Sequence, residues 1–160
     1  MIALIQRVRE ARVEIQGEVV ASIARGLLAL IGVRPADDQA AALRLLDKLL
    51  KYRIFPDDAD KMNLSLQQIA GDLLLVPQFT LAADTRHGLR PGFSTAAPPE
   101  QGKMLFGFLI ETAKARHSPV ASGVFGANMQ VSLTNDGPVP GVRGFLLDLG
   151  MGSSLGRAST

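Results

Sequence analysis

The chain contains no cysteine, only two histidines and 5% aromatic residues. Without cysteine there is no disulfide, no thiolate metal site and no Cys nucleophile, which agrees with a cytoplasmic setting. With so few aromatics, the core has to be built from Leu, Val, Ile and Ala. No apolar run approaches the ~20 residues needed to span a bilayer. Arg7, Arg9 and Glu10 follow Met1-Ile2-Ala3-Leu4 too closely to leave a signal-peptide apolar region, so a cytoplasmic protein with no membrane partner is expected. Basic runs and basic helix faces are missing as well. A net charge of +2 and a sequence pI of about 9.3 are a weak pull toward a polyanion, and a mixed-charge solvated surface explains them equally well. What remains is an ordinary globular balance: 160 residues, 47% hydrophobic and 20% charged, enough for one domain with a single core.

The usual catalytic constellations are also scarce. His87 and His117 stand thirty positions apart with no carboxylate at metal-ligand spacing, so neither a metal nor a cofactor is expected and both read as surface histidines. Asp57, Asp58 and Asp60 lack the Gly and distal Glu of a calcium loop and read as a solvated acidic turn. Asn63-Leu64-Ser65 is a chance match to a glycosylation acceptor. No phosphate loop, dinucleotide fingerprint or Gly-x-Ser-x-Gly elbow occurs, and nothing in the placement of Ser, His and Asp recommends a triad. An enzyme of this composition has to use backbone groups, a hydroxyl or the substrate itself.

Hydropathy patterning divides the chain into strands and two helices. Ala3 to Val8 is a short apolar strand, and Val13, Ile15, Val19 and Ala21 alternate around Gln16-Gly17 as a hairpin. Gly26 to Val33 is a continuous apolar run that suits a strand buried on both faces. After Pro35 and Asp37-Asp38, the spacing of Ala42, Leu45, Leu46, Leu49 and Leu50 predicts an amphipathic helix. Tyr52 to Phe55 reads as a strand ended by Pro56. Leu73 to Val76 and Phe79 to Leu81 read as two strand pieces separated at Pro77-Gln78, where a missing N–H predicts an edge, a bulge or a break. A loop from Asp84 to Pro99 precedes a second helix, opened by Pro98-Pro99-Glu100, with Met104, Leu105, Phe108, Leu109 and Thr112 on one face. Ser118 to Asn128 reads as a Gly-rich connection. Met129 to Leu133 and Phe145 to Leu149 are further strands, and 150–160 is a flexible tail. The expected architecture is one layered α/β (α+β) domain over 1–149, with mixed, largely antiparallel sheets and two main helices.

Three groups of residues resemble the D-aminoacyl-tRNA deacylase family. Pro77-Gln78-Phe79-Thr80-Leu81 matches its Ser-Gln-Phe-Thr-Leu signature except at the first position, and Asn135-Asp136-Gly137-Pro138-Val139 matches Asn-x-Gly-Pro-Val. Supporting matches run from Met1 to Val8, then through Tyr52-Arg53-Ile54-Phe55, Lys61-Met62-Asn63-Leu64, Asp84-Thr85, Arg90-Pro91 and Met129 to Leu133. The resemblance implies a homodimeric, cytoplasmic hydrolase without cofactor, acting on the 3′ end of aminoacyl-tRNA. It would cleave the ester of D-aminoacyl-tRNA, or glycyl-tRNA, to free tRNA and amino acid.

It further implies that Gly137-Pro138 is cis and projects into the partner's pocket, rejecting L-amino acids. Phe125 and Met129 would line that pocket, and the Gln78, Phe79 and Thr80 segment would supply oxyanion donors aided by the tRNA 2′-hydroxyl. Pro permits a cis bond at a cost of only ~0.5–1 kcal/mol, and Gly leaves space beside a ligand. Taken alone, Asn-Asp-Gly-Pro is also good turn chemistry. The chain departs from the family at Pro77, at Gly92 where Ser is common, and at Pro140, which replaces the usual Thr ahead of Gly141-Val142-Arg143-Gly144. Those departures leave two alternatives open: a tRNA-end-binding dimer without activity, and a small-molecule esterase using Thr80 as nucleophile.

Overall fold

The fold was described from a computed structural model covering residues 1–84, 89–137 and the backbone of 145–148. His87, Pro138, the 140–144 departure, Leu149 and the 150–160 segment lie outside the described residues.

Elements follow in the order β1 (Ile2–Ile15), β2 (Glu18–Ile23), β3 (Gly26–Gly32), α1 (Gln39–Lys51), β4 (Phe55–Pro56), β5 (Met62–Leu64), β6 (Asp72–Pro77), a 3-10 turn (Phe79–Ala82), α2 (Pro99–Arg116), β7 (Val120–Ser122), β8 (Gln130–Asn135) and β9 (Phe145–Asp148). The long first strand organises the main sheet. It pairs antiparallel with β2, β3, β8 and β9, while β6 joins β3 and β7 joins β6 in parallel. The sheet is therefore mixed and largely antiparallel, as its sequence implied. A two-residue turn closes β1 to β2 with positive φ at Gln16 (52°) and Gly17 (82°), the turn geometry that matches strand twist.

The predicted short strand at Ala3 to Val8 is part of a single strand of 14 residues. One irregularity lets it serve two cores. Val8 opposes Asn135 and Glu10 opposes Thr134, so Arg9 is an extra residue in the ladder. A one-residue bulge reverses which alternate residues face which side. Ala3 and Ile5 accordingly pack with the helices, whereas Val8, Ala11 and Val13 pack with Ala21, Ile23, Leu74 and Val76 in a second cluster.

Strands β3 and β6 lie between these clusters. Leu27, Ala29, Ile31, Leu73 and Leu75 face α1 and α2, and Leu28, Leu74 and Val76 face the curled hairpin. Burial on both faces is why their sequences run apolar without alternation. Gly26 marks the closest approach of the two strands, since a Cβ there would stand 1.9 Å from Asp72 O.

The helix of Gln39–Lys51 forms as its spacing predicted: Asp38 caps it through Ala41 N–H at 2.7 Å, and Leu45, Leu46, Leu49 and Leu50 are fully buried. The second helix begins at Pro99, but its buried stripe is Gly102, Leu105, Phe106, Leu109 and Ala113. Met104 is 62% exposed, and Phe108 and Thr112 are half-buried. The face is rotated from the expected one because Phe106 and Gly102 turn toward Phe125. Three further local expectations change. Tyr52 to Ile54 are not strand; only Phe55–Pro56 pairs with β5. Phe79 to Leu81 form a 3-10 turn rather than a strand. Within the connection 118–128, Val120–Ser122 form β7, whose three residues are too few to show a period.

Candidate active site

A shallow crevice opens where the parallel strands end. It is lined by Ile31, Val33, Pro77, Gln78, Phe79, Ala97, Gly102, Phe106 and Phe125, and encloses about 20 Å³, room for one water-sized group. Ile31 and Pro77 are the last register pair of β3 and β6, so the crevice sits beyond the carboxyl ends of parallel strands, where open α/β sheets place ligands. Sequence reasoning named Gln78, Phe79 and Phe125 of this set. It missed Ile31, Val33, Ala97, Gly102 and Phe106, whose apolar or small side chains carry no local signal of a site.

Pro77 shapes the opening. Gln78 N–H donates to Ile31 O at 2.7 Å, so the Pro77 nitrogen faces the other edge, past the end of β7. The backbone then turns over the end of β3: Leu81 N–H donates to Gln78 O at 3.2 Å and Ala83 N–H to Thr80 O at 3.1 Å. Phe79 and Thr80 are the first two residues of that turn, whose leading N–H groups have no partner within it. Neither N–H has an acceptor among the described residues. The break expected at Pro77-Gln78 is present, and a helical turn rather than an exposed strand end presents the donors.

The Thr80 hydroxyl accepts from the Gln78 side-chain amide, a donor that cannot remove a proton. Phe79 is 59% exposed and Phe93 47% exposed, their rings 5.3 Å apart at 56°. Phe125 rests against Phe106 at 6.5 Å, and α2 comes close enough because Gly102 lacks a Cβ, which would lie 3.0 Å from Phe125 Cζ. Met129 stands behind the crevice instead of lining it, packed on the hairpin cluster with Sδ accepting from Val124 N–H at 3.4 Å.

Gly137 lies elsewhere on the chain, exposed, with φ of 150°. Its neighbour Asp136 is fastened to β1. Asp136 N–H donates to Arg7 O at 2.9 Å, and Arg7 Nε donates to Asp136 O at 2.9 Å. Arg7 Nη1 also reaches Ile54 O at 2.7 Å. The Asp136 carboxylate sits between Arg7 and Arg9, each at 3.5 Å. Both guanidinium groups thus reach one carboxylate beside the bulge. Arg7 pairs with Leu27 on β3, four residues before Ile31, about 13 Å along the strand. Within one chain, therefore, Asp136 is fastened well away from the crevice, and Gly137 is not among the residues that line it.

His117 is not a free surface residue. It ends α2, half-buried, with Nε2 2.6 Å from Gly71 O. Asp57 is a turn organiser that accepts from Asn63 Nδ2 at 2.8 Å and from Ala59 and Lys61 N–H. Among the described residues no three His, Asp or Glu side chains cluster to hold a metal, and no helix is long and apolar enough to cross a membrane.

A family profile described as D-Tyr-tRNA(Tyr) deacylase matches residues 4–142. The chain belongs to the D-Tyr-tRNA(Tyr) deacylase family. It is 62% identical over 146 residues to a D-aminoacyl-tRNA deacylase of Ectopseudomonas mendocina, covering 91% of this chain and 98% of that protein. It is also 62% identical over 139 residues to one from Pseudomonas putida, covering 87% and 96%. Among solved structures, the c-Myc DNA Unwinding Element Binding Protein superposes with a TM-score of 0.87 at 33% identity, covering 94% of this chain and all of that one. A "probable eukaryotic D-amino acid tRNA deacylase" shares the fold at 18% identity, with a TM-score of 0.74 and coverage of 86% and 95%. Both the crevice and the contacts of Arg7 and Arg9 with Asp136 fall inside the matched span of this deacylase family.

Proposed function

We propose that the chain hydrolyses the ester bond of D-aminoacyl-tRNA, and of glycyl-tRNA, releasing tRNA and the free amino acid in the cytoplasm. The observation carrying this reading is the pair of N–H groups, Phe79 and Thr80, without an acceptor among the described residues, on the turn that begins at the crevice-lining Gln78 and Phe79. Donors fixed in that way stabilise the oxyanion that forms as water attacks an ester carbonyl. Among the described residues no acid–base side chain is hydrogen-bonded to Thr80, and in this reading the tRNA 2′-hydroxyl helps to activate the water. Thr80 serves as a donor or orienting group rather than a nucleophile, because its hydrogen-bond partner among the described residues, the Gln78 amide, is no base that could take its proton.

Chirality is read by rejection. Gly137-Pro138, in the cis form, reaches into the crevice of a second subunit and forms a backbone wall that an L side chain would strike. Three features support a two-subunit site: the separation of Gly137 from the crevice within one chain, the small enclosed volume, and the exposed Phe79 and Phe93 at its edge. A steric wall discriminates without tight binding of the right substrate, whereas an apolar pocket separates a methyl from a hydrogen by only ~1–3 kcal/mol.

D-Tyr-tRNA is expected to be hydrolysed at least ~100-fold faster than L-Tyr-tRNA by sub-micromolar protein; equal rates for the two enantiomers sink the reading. One observation favours a second reading: Pro77 removes an N–H from the signature segment, as in a tRNA-end-binding protein without activity. Binding of D-Tyr-tRNA without turnover decides for it.

A further inference from the structure

Behind the crevice, the seven residues from Gly123 to Met129 form a brace that no signature motif describes. Gly123 is buried, and its N–H continues the β6–β7 ladder by donating to Leu75 O at 2.9 Å. In a parallel ladder the next rung would run from the N–H of residue 77 to Gly123 O. Pro77 has no N–H, so the ladder stops there and the proline ring stands against the glycine. An ideal Cβ on Gly123 would lie 3.3 Å from Pro77 Cδ, 3.6 Å from Val76 Cγ1 and only 2.7 Å from Met129 Sδ. Released from the sheet, the chain turns through Val124 to Ala127, with Ala127 N–H donating to Val124 O at 3.3 Å and Gly126 at φ 80°. It returns Met129 to the space the missing Cβ leaves, and the Met129 sulfur takes the Val124 N–H at 3.4 Å. Phe125, the crevice wall, is carried on this turn.

We propose that Gly123 is a positioning residue for substrate. By lacking a Cβ it seats the Met129 sulfur beside Pro77, and the sulfur holds the turn that sets Phe125 against the crevice. The proposal rests on the deacylase reading, because Phe125 matters only if the crevice takes the aminoacyl end. A thioether sulfur suits this position, being a weak acceptor on a flexible side chain that fills irregular space.

The test is a cycle of Gly123→Ala, Met129→Ala and the double variant, assayed with D-Tyr-tRNA. Gly123→Ala pushes a methyl into the sulfur, so KM is expected to rise ~10-fold. kcat should stay within ~2-fold, since the Phe79 and Thr80 donors are untouched. The double variant should be no worse than Met129→Ala alone, because two residues acting through one contact do not add. A folded Gly123→Ala protein with unchanged KM, or a double variant whose loss is the product of the singles, overturns the proposal. If Gly123→Ala does not fold, Met129→Leu removes the acceptor without a clash, and faster hydrogen exchange at the Val124 amide is expected; unchanged exchange overturns the brace. Failure of the wild-type protein to hydrolyse D-Tyr-tRNA would instead sink the deacylase reading, and the exchange measurement would still decide the brace.

Discussion

The bodies of β3 and β6 and their carboxyl ends are continuous in sequence, yet physically they are different materials. In the bodies, Leu27, Leu73, Leu74 and Leu75 are at most 1% exposed and both faces are covered. Four residues beyond Leu75, Phe79 is 59% exposed, the ladder has ended and two N–H groups have no acceptor among the described residues. The change takes place at Pro77, which lacks the donor that would extend the sheet. Burial stabilises the first region, and the lapse of regular pairing equips the second for chemistry.

The largest contrast should appear between Leu75→Ala and Phe79→Ala. Deleting a fully buried leucine in a packed core should cost about 2–5 kcal/mol in chemical denaturation. Truncating the exposed Phe79 should cost under about 1 kcal/mol of that stability while lowering deacylation. Comparable losses of stability would erase the distinction between body and end.

Arg7→Ala comes next. Its side chain is 11% exposed and its guanidinium bonds Asp136 O and Ile54 O, so about 1.5–3 kcal/mol of stability is expected to be lost. The residue before Gly137 loses its anchor, and selectivity for D over L substrate should fall. Retained selectivity would show that the wall is held by other contacts.

Thr80→Ala should lower kcat less than ~10-fold, about 1.4 kcal/mol or under. A loss of ~10⁴-fold would restore Thr80 as a nucleophile. The smallest effect belongs to Asp57, away from both regions. Asn63 first, then the Lys61 and Ala59 amides, hold its carboxyl below the ordinary value. A carboxyl lowered on folding contributes stability above its unfolded value of about 3.8, and that contribution is lost as pH falls through the lower folded value. Asp57→Asn should therefore flatten the acid limb of the stability profile below about pH 4 and leave deacylation at neutral pH unchanged.

Several elements were legible in the residues because their signals are local. Alternation and Gln16-Gly17 specified the first hairpin. The leucine spacing of 42–50 and the Asp38 cap specified α1, and the unbroken run 26–33 announced a strand covered on both faces. Gln78-Phe79-Thr80 marked one half of the candidate site, and Pro77 the break that opens it. Elsewhere the signals were too short or depended on distant partners. Three residues of β7 carry no period, and a four-residue 3-10 turn of Phe, Thr, Leu and Ala looks like strand. The stripe of α2 turned toward Phe125 for reasons that lie in another segment.

By itself, then, the order of residues determined the fold class, the two helices, the family likeness and the types of group present at the break, since periodicity, caps and missing donors act within a few positions. Only the tertiary structure decided which groups share a space. It brought the ends of β3 and β6 to one crevice and placed Asp136 between Arg7 and Arg9. It also set Met129 behind Phe125 by leaving Gly123 without a side chain. Each of these depends on contacts between segments far apart along the chain, and no local pattern encodes such a meeting.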